Sequence, residues 1–331
     1  MRDIRIGIIG CGRAARAHLG PLAAAPGVEI VGYADPDAEA ARALAASTPS
    51  RGEGGPAATF ADYAEMLRQA APEAVAIFTP HLVHYRPTMD ALQAGCHVFV
   101  EKPLSTNPQE AVDIVSVARA RGRKVGVGHQ YRLMPSLLEA RRLLAEGAIG
   151  PVRLVQATLA QPWLASHREA KDSWRFDPKV AGGGLLADEG DHLLDALLWT
   201  LRTVAVEAAA IQSRLDTGID LVTAAAVRLA DGTPATVGLS GTSPGSLFEL
   251  GFFGESGRLL ATEARLIHES GRSAGEVLPL PAPIESIEGN FAAAIRGDAP
   301  LCCPAEEALD TVRLLEAIAR SAATGQVVRL G

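Results

Sequence analysis

A glycine-rich segment near the N-terminus has the spacing of a phosphate-binding loop. Gly10, Gly12 and Ala15 form a Gly-x-Gly-x-x-Ala pattern directly after the apolar run Ile4–Ile9. Small residues there let the backbone approach a pyrophosphate, and the N-terminus of a following helix favours an anion. Asp35 lies 20 residues beyond Ala15, where an acidic side chain binds a ribose 2′-hydroxyl and repels a 2′-phosphate. The pattern predicts a dinucleotide site that prefers NAD to NADP, unless Asp35 only caps the next helix.

Lys102 is the first candidate for the chemical step itself. The tripeptide Glu101-Lys102-Pro103 follows the apolar run His97–Val100, and ligands of open parallel sheets bind outside the carboxyl ends of the strands. A lysine at this place is expected beside the nicotinamide of the cofactor. The alternative is an exposed, solvated lysine, which is the common situation of this residue type.

A second candidate pair lies in the segment Gly182–Asp195. Asp188 and His192 are four residues apart, so an α-helix would present both on one face. A carboxylate beside an imidazole orients the ring and raises its basicity, which suits a general base near neutral pH. Two other interpretations stay open: acids that stabilise a helix N-terminus, and a metal site formed with Asp191. No His-Glu-x-x-His or cysteine-rich pattern supports the metal site, and we predict no metal.

The elements that must position these residues change in type near residue 125. The first 124 residues alternate short apolar runs with helical patterns, which predicts a parallel sheet covered on both faces. The part from residue 125 to residue 331 contains several strands separated by turn signals and ends in two helices, which favours a separate α+β domain. Two polar segments are expected to be loops, Ser47–Pro56 and Gln161–Val180.

Composition excludes several classes of protein. The 331 residues are 48% hydrophobic and 21% charged, which excludes an intrinsically disordered chain. The net charge of −7 provides no basic surplus for nucleic acid, and no apolar run reaches the length of about 20 residues that a membrane span needs. We expect no signal peptide and a cytoplasmic protein. The four cysteines form no disulfide framework or Cys-x-x-Cys motif, being Cys11, Cys96, Cys302 and Cys303.

Taken together, these segments resemble the Gfo/Idh/MocA family of NAD(P)-dependent oxidoreductases, the glucose–fructose oxidoreductase and inositol dehydrogenase group. The resemblance extends over essentially the whole chain and rests on the motifs Gly10–Ala15, Thr79-Pro80 followed by His84, Glu101-Lys102-Pro103, Gly128–Pro135 and Gly182–Asp195. It implies an N-terminal Rossmann domain (residues 1–124) and a C-terminal α+β domain with a large open, mostly antiparallel sheet (residues 125–331). It also implies an active site between the domains and a homodimer or homotetramer.

The resemblance further implies roles for particular residues. Lys102 would bind the reacting hydroxyl, His192 would accept its proton while a hydride leaves the same carbon, and Asp188 would orient the substrate. The cofactor pocket is expected to contain Gly10, Gly12, Arg13, Ala14, Ala15, Asp35, Thr79, Pro80, His81, His84, Glu101 and Lys102. His81 stands where the family commonly has asparagine, and Glu189 and Asp191 lie outside the family motif.

Further residues are candidates for substrate contact. Trp174 and Arg175 could close over a sugar, with the indole stacking and the guanidinium donating hydrogen bonds, or they could belong to a salt-bridged loop. For His167 the structural interpretation is the better one. The complete predicted substrate set is Lys102, His129, Tyr131, Arg132, Trp174, Arg175, Asp188 and His192.

We therefore predict an oxidoreductase that transfers a hydride between a nicotinamide cofactor and a hydroxyl or keto carbon of a sugar, polyol or sugar derivative. One alternative is an enzyme that uses bound NAD transiently for sugar elimination or epimerisation. Another is a non-catalytic nicotinamide-binding sensor, which would not need Lys102, Asp188 and His192 together.

Overall fold

The computed structural model describes residues 3–48, 57–169, 173–271, 275–283 and 286–330, so positions 49–56 of the predicted loop lie outside it. The chain divides into two compact units, neither of which is continuous in sequence. Unit 1 comprises Met1–His129 and Glu285–Leu309, and unit 2 comprises Gln130–Ile284 and Asp310–Gly331. This division differs from the predicted boundary at residue 124, because a later strand and a late segment of the chain both belong to unit 1.

Unit 1 contains a parallel sheet covered by helices. The described strands are Ile4–Ile9 (β1), Val28–Ala34 (β2), Ala58–Phe60 (β3), Ala74–Ile77 (β4), His97–Val100 (β5) and Val125–Val127 (β6). They pair in the order β3-β2-β1-β4-β5-β6, every pair being parallel, which is the order of a dinucleotide-binding sheet. The helices are Arg13–Ala24 (α1), Ala38–Ala46 (α2), Tyr63–Gln69 (α3), Tyr85–Gln93 (α4) and Pro108–Arg121 (α5).

Unit 2 contains a mostly antiparallel sheet. Its first helices are Pro135–Ala145 (α6), Trp163–Glu169 (α7), Pro178–Ala181 (α8) and Asp191–Leu201 (α9). The strands are Val152–Ala160 (β7), Ala205–Ser213 (β8), Val222–Leu229 (β9), Pro234–Ser240 (β10), Leu247–Gly254 (β11), Gly257–Thr262 (β12), Leu266–Ser270 (β13), Glu276–Val277 (β14) and Val328–Arg329 (β15). Within the described ranges, their order is β14-β13-β12-β11-β7-β10-β9-β8-β15, and only β7 and β10 pair in parallel. The predicted open, mostly antiparallel sheet is confirmed.

The burial of the strands distinguishes the two sheets. All four residues of β4 are buried, because helices cover both faces of a parallel sheet. In β9, buried and exposed residues alternate, with Thr223, Ala225, Val227 and Leu229 buried. Such alternation places one face against the core and leaves the other uncovered. No helix among the described residues is long and apolar enough to cross a lipid bilayer.

The chain ends with two helices, Ile287–Arg296 (α10) and Ala305–Thr324 (α11). Helix α10 packs against α1 and begins at Ser286, whose hydroxyl accepts the N–H of Gly289. In α11, Leu314, Leu315 and Ile318 join the core of unit 2. The chain therefore returns to unit 1 to complete it and then passes back to unit 2.

The segment predicted as the loop Gln161–Val180 contains more regular structure than expected. It includes α7, a 3₁₀ turn at Ser173–Phe176 and α8. Asp177 caps α8 by accepting the N–H of Lys179, and Trp163 is buried with 2% exposure. Because the segment is mostly polar, its composition predicts a loop and does not indicate the cap at Asp177 or the burial of Trp163.

Candidate active site

The glycine loop between β1 and α1 forms a cradle at the carboxyl end of the unit 1 sheet. Gly10 has a φ of +85°, and a Cβ there would lie 2.8 Å from the backbone carbonyl carbon of Phe78, so this position requires glycine. Gly12 precedes α1, and no described side chain caps the helix there. A Cβ at Gly12 would meet nothing within 4 Å, which leaves room for an anion at the positive end of the helix.

Asp35 is held beside this loop rather than serving as a helix cap. Its Oδ2 accepts the N–H of Cys11 at 2.8 Å, and its Oδ1 accepts the N–H of Asp37 at 2.8 Å. The cap of α2 is Asp37, whose carboxylate accepts the N–H groups of Glu39 and Ala40. The alternative interpretation of Asp35 as the cap is therefore wrong, and its carboxylate is held against the glycine loop.

Thr79 offers a further test of whether a dinucleotide fits this unit. The residue follows β4, and its buried Oγ1 has no hydrogen-bond partner in the part of the chain that the structure describes. A buried hydroxyl without a partner is costly, and a ligand would satisfy it. Together with the open glycine cradle and the oriented Asp35, this hydroxyl shows that the residues of unit 1 fit a dinucleotide.

Lys102 lies directly after β5 and is buried, with 8% exposure, so the interpretation of a solvated surface lysine is wrong. The next residue, Pro103, is contacted by His84, which is completely buried. The His84 Nδ1 lies 2.7 Å from the carbonyl oxygen of Pro103, and its Nε2 lies 2.8 Å from that of Thr79. Burial lowers the pKa of His84, and the hydrogen bonds with these two carbonyl oxygens oppose that shift. His84 thus links two segments of the predicted cofactor pocket through the backbone.

In unit 2, Asp188 is the centre of a buried polar cluster. Its Oδ2 accepts a hydrogen bond from Trp163 Nε1 at 2.8 Å and another from Arg175 Nε at 2.9 Å. His167 Nε2 lies 3.8 Å from the same oxygen, and its ring stacks on Trp163 with the centroids 4.4 Å apart. Arg175 in turn lies over the ring of Trp174, with its guanidinium carbon 4.3 Å from the centroid. The structure therefore agrees with the alternative that Trp174 and Arg175 belong to a salt-bridged segment, because Arg175 is paired with Asp188.

The glycines before Asp188 are explained by a close approach of two backbone segments. A Cβ at Gly184 would collide with the carbonyl oxygen of Asp220. The Asp220 carboxylate accepts the N–H groups of Gly184 and Leu186, each at 2.7 Å. A π-helical turn, Leu186–Gly190, then precedes α9. Because Asp188 lies in this π turn, the four-residue spacing of an α-helix does not apply between Asp188 and His192.

His192 lies in the first turn of α9 with 3% exposure. Its ring stacks on that of Tyr131, with centroids 4.5 Å apart and an interplanar angle of 15°. Tyr131 contacts Phe248 edge to face at 5.1 Å. Tyr131, which is predicted to contact the substrate, therefore fixes the orientation of the His192 ring.

Arg132 is predicted to contact the substrate, but in the structure its side chain forms a buried ion pair. Its guanidinium donates to both oxygens of Asp195, at 2.8 and 2.7 Å, and both side chains are buried, with 2% and 1% exposure. Thr311 Oγ1 also donates to Asp195, at 3.3 Å. Arg132 thus has a structural role between the 3₁₀ turn Gln130–Leu133, α9 and α11, and we omit it from the proposed substrate site.

Removal of the Arg132 guanidinium should destabilise the protein strongly. We expect Arg132→Met to lower the free energy of unfolding by about 3–5 kcal/mol, because it leaves the Asp195 carboxylate buried without its cation. Urea unfolding measures the change. The matched control is Arg153→Met, since the pair of Arg153 with Glu255 is exposed and such pairs contribute about 0–1 kcal/mol. Equal effects of the two substitutions would contradict the assignment.

The other predicted residues occupy varied positions. His129 is buried, and its Nδ1 lies 3.2 Å from the Sγ of Cys303. His81 is buried and contacts the ring of His84 edge to face at 6.0 Å. Asp191 is fully buried. Partial exposure is found for Ala14, Pro80, Trp174 and Glu189, whereas Arg13 is exposed and Ala15 is buried.

Sequence reasoning missed several residues of this region. Trp163 and Asp220 hold the Asp188 segment, and His18 and Glu288 form a buried ion pair in unit 1. His18 and Glu288 are 270 positions apart, so no local motif could have joined them. The only available signal was for Trp163, a large apolar residue within an otherwise polar segment.

Two family models match the chain over separate segments. A model described as an oxidoreductase family with an NAD-binding Rossmann fold matches residues 4–129, and the GFO/IDH/MocA C-terminal domain model matches residues 137–260. The chain belongs to the Gfo/Idh/MocA oxidoreductase family. The resemblance predicted from the motifs is confirmed, and unit 1 contains the NAD-binding Rossmann domain of this family.

Relatives within the Gfo/Idh/MocA family include enzymes named for sugar derivatives. D-glucoside 3-dehydrogenase of Escherichia coli K12 is 29% identical over 208 residues, 62% of this chain and 56% of that protein. Levoglucosan dehydrogenase of Pseudarthrobacter phenanthrenivorans is 27% identical over 66% of this chain and 55% of its own length. The chain thus spans little more than half the length of these two relatives. The 1,5-anhydro-D-fructose reductase of Ensifer adhaerens is 29% identical over 98% of each chain.

Solved structures of Gfo/Idh/MocA-type proteins confirm the fold. An oxidoreductase domain protein from Kribbella flavida superposes with a TM-score of 0.87 at 22% identity, over 100% of both chains. The WlbA dehydrogenase of Bordetella pertussis, solved with NADH and UDP-GlcNAcA, superposes with a TM-score of 0.86 at 24% identity, over 100% of this chain and 98% of that one.

Proposed function

We propose that this member of the family is an NAD-dependent oxidoreductase that transfers a hydride between the nicotinamide and a carbinol or keto carbon of a sugar, polyol or sugar derivative. The observation that carries the proposal is the buried Lys102 at the carboxyl end of β5, in the same unit as the open glycine cradle and Asp35. A buried lysine is uncommon unless a partner or a function retains it. The relatives named for D-glucosides, levoglucosan and 1,5-anhydro-D-fructose support a sugar derivative as the substrate.

We propose the following roles for the residues. The bound cofactor supplies the hydride acceptor or donor. In the oxidative direction, Lys102 donates a hydrogen bond to the reacting hydroxyl, and His192 accepts the hydroxyl proton as the carbinol carbon loses its hydride. Arg175 and Trp163 hold the Asp188 carboxylate in place, and Asp188 orients the substrate. Tyr131 holds the plane of the His192 ring.

A substrate screen tests the proposed function. Purified protein with NAD is offered polyols, aldoses, anhydro sugars, methyl glycosides and sugar acids, and NADH formation is followed by absorbance; keto sugars with NADH test the reverse direction. We expect steady NADH accumulation with at least one sugar derivative. A product formed without net NADH would favour transient oxidation coupled to elimination or epimerisation. Binding of NADH without turnover of any substrate class would contradict the proposed activity and favour a sensor.

The charge of Asp35 should determine the choice between NAD and NADP. We expect Asp35→Asn to raise the ratio of kcat/KM for NADP to that for NAD by about 10–100-fold, because the substitution removes the repulsion of a 2′-phosphate and weakens the contact with the 2′-hydroxyl. Steady-state kinetics with both cofactors measure the ratio.

The matched control for Asp35 is Asp37→Asn, because asparagine and aspartate are comparable helix caps and Asp37 caps α2. This control should leave the cofactor ratio unchanged. A preference of the parent enzyme for NADP, or an unchanged ratio in Asp35→Asn, would contradict the role given to Asp35.

A further inference from the structure

His18 on α1 bridges two buried carboxylates of unit 1. Its Nε2 forms an ion pair with Glu101 Oε1 at 2.9 Å, and its Nδ1 forms an ion pair with Glu288 Oε1 on α10. The ring is packed on Phe78, with centroids 5.3 Å apart, and lies 6.1 Å from the ring of Phe99. The imidazole thus has an aromatic ring stacked on it and an acid at each of its nitrogens.

This environment keeps the imidazole charged. The side chains of His18, Glu101 and Glu288 are 14%, 10% and 5% exposed. Burial alone lowers the pKa of His18, but the hydrogen bonds and charges of Glu101 and Glu288 outweigh it and raise the pKa to about 10. A doubly protonated ring carries the positive charge that two flanking carboxylates require.

Glu101 in turn depends on His18 for its ionised state. Burial raises the pKa of Glu101, whereas hydrogen bonding and charge from His18, and the charges of Lys102 and His84, bring it below its usual value. The carboxyl group rests against Gly128, where a Cβ would lie 2.5 Å from Glu101 Oε1. Glu101 therefore has a fixed position and a fixed charge beside the proposed catalytic lysine.

We propose that His18 is a positioning residue for the proposed hydride transfer: as an imidazolium bridging Glu101 and Glu288, it holds the Glu101 carboxylate ionised and in place, and so sets the electrostatic environment of Lys102. The inference rests on the proposed function of Lys102. His18 itself touches neither the cofactor nor the substrate in this proposal. Its charge partners are Glu101 and Glu288, and Lys102 and His84 are the further groups that act on Glu101.

The first test replaces His18 by a neutral residue of similar size. We expect His18→Gln to lower kcat by about 10–100-fold and to shift the pH profile of kcat/KM by about one unit, because a positive charge near the Glu101–Lys102 pair is lost. The NADH dissociation constant should change by less than about threefold, since the glycine cradle and Asp35 keep their residues in this variant. A lower kcat with a pH profile that superposes on that of the parent protein would show a purely structural role and overturn the proposal.

The second variant, Glu288→Gln, acts on His18 from the α10 side and keeps the side-chain shape. It should lower the pKa of His18, so that His18 loses its proton within the assay range and activity declines as the pH rises through that value. Imidazole NMR titration gives a readout that is independent of turnover, with the His18 resonance assigned from its absence in His18→Gln. In the parent protein this resonance should titrate with a pKa of about 10.

The matched control for His18→Gln is a substitution of His97. His97 lies at the opposite end of β5 from Glu101, and His97→Gln should leave the pH profile unchanged.

If the parent protein turns over no sugar derivative, the proposed function fails while the NMR result stands by itself. If Lys102 is required for turnover but His18→Gln and Glu288→Gln reproduce the parent pH profile, only the positioning role fails. A His18 resonance that titrates near pH 6.5 in the parent protein would also overturn it.

Discussion

Replacement of Lys102 by methionine is expected to lower kcat by about 10²–10³-fold, the range in which loss of one preorganised hydrogen-bond donor at the reacting oxygen lowers an enzymatic rate. Methionine fills a similar volume but cannot donate a hydrogen bond to the reacting hydroxyl. Affinity for NADH should stay within about threefold of the parent value, because the glycine cradle and Asp35 are unchanged. Stopped-flow measurement of the hydride-transfer step and NADH fluorescence titration separate the two quantities.

The control for this substitution is Lys179→Met, since Lys179 is exposed at the start of α8. It should retain full activity, which shows that removal of a lysine by itself is harmless. Retention of more than about a tenth of the parent kcat in Lys102→Met would be incompatible with the proposed role of Lys102 as hydrogen-bond donor to the reacting hydroxyl.

The second large effect is expected at His192. His192→Phe should lower kcat by about 10²–10⁴-fold, because phenylalanine cannot accept the hydroxyl proton. Phenylalanine retains an aromatic ring to stack on Tyr131, so the packing seen at 4.5 Å is largely preserved. The pH profile of kcat should also lose the limb that reports the free base. Steady-state kinetics between pH 5.5 and 10, together with thermal unfolding of both proteins, measure these effects.

A histidine elsewhere in unit 2 provides the comparison for His192. His268→Phe on β13 should keep both the rate and the pH profile. If His192→Phe and the parent protein show the same pH dependence with a small change in kcat, His192 does not carry the proton, and its stacking on Tyr131 would be its whole contribution.

The elements of unit 1 could be predicted closely from sequence. The observed bounds of β1 and β5 coincide with the apolar runs Ile4–Ile9 and His97–Val100, since glycine or a charged residue directly follows each run. Buried parallel strands have a strong local signal because nearly every residue in them is apolar.

The candidate site was less predictable, because its geometry depends on contacts between distant positions. The spacing of Asp188 and His192 indicated one helical face, but the π turn Leu186–Gly190 changes the periodicity there. Arg132 has the chemistry of a ligand-binding residue, and only the fold reveals that Asp195 neutralises it, 63 residues later. A sequence motif identifies residue types; it does not show which of them neutralise each other.

The discontinuity of unit 1 also bears on how the protein is made. Its first segment ends at His129 and its second begins at Glu285, so the ribosome must synthesise Gln130–Ile284 before the unit can be completed. At about 5–20 residues per second, this delay is on the order of 10–30 s. During that interval His18 and Glu101 have no Glu288, and Phe99 has no Phe291, its neighbour at 5.7 Å in the finished fold. The cofactor-binding unit is thus begun first during translation, but it matures only after strands β7 to β14 of unit 2 have been translated.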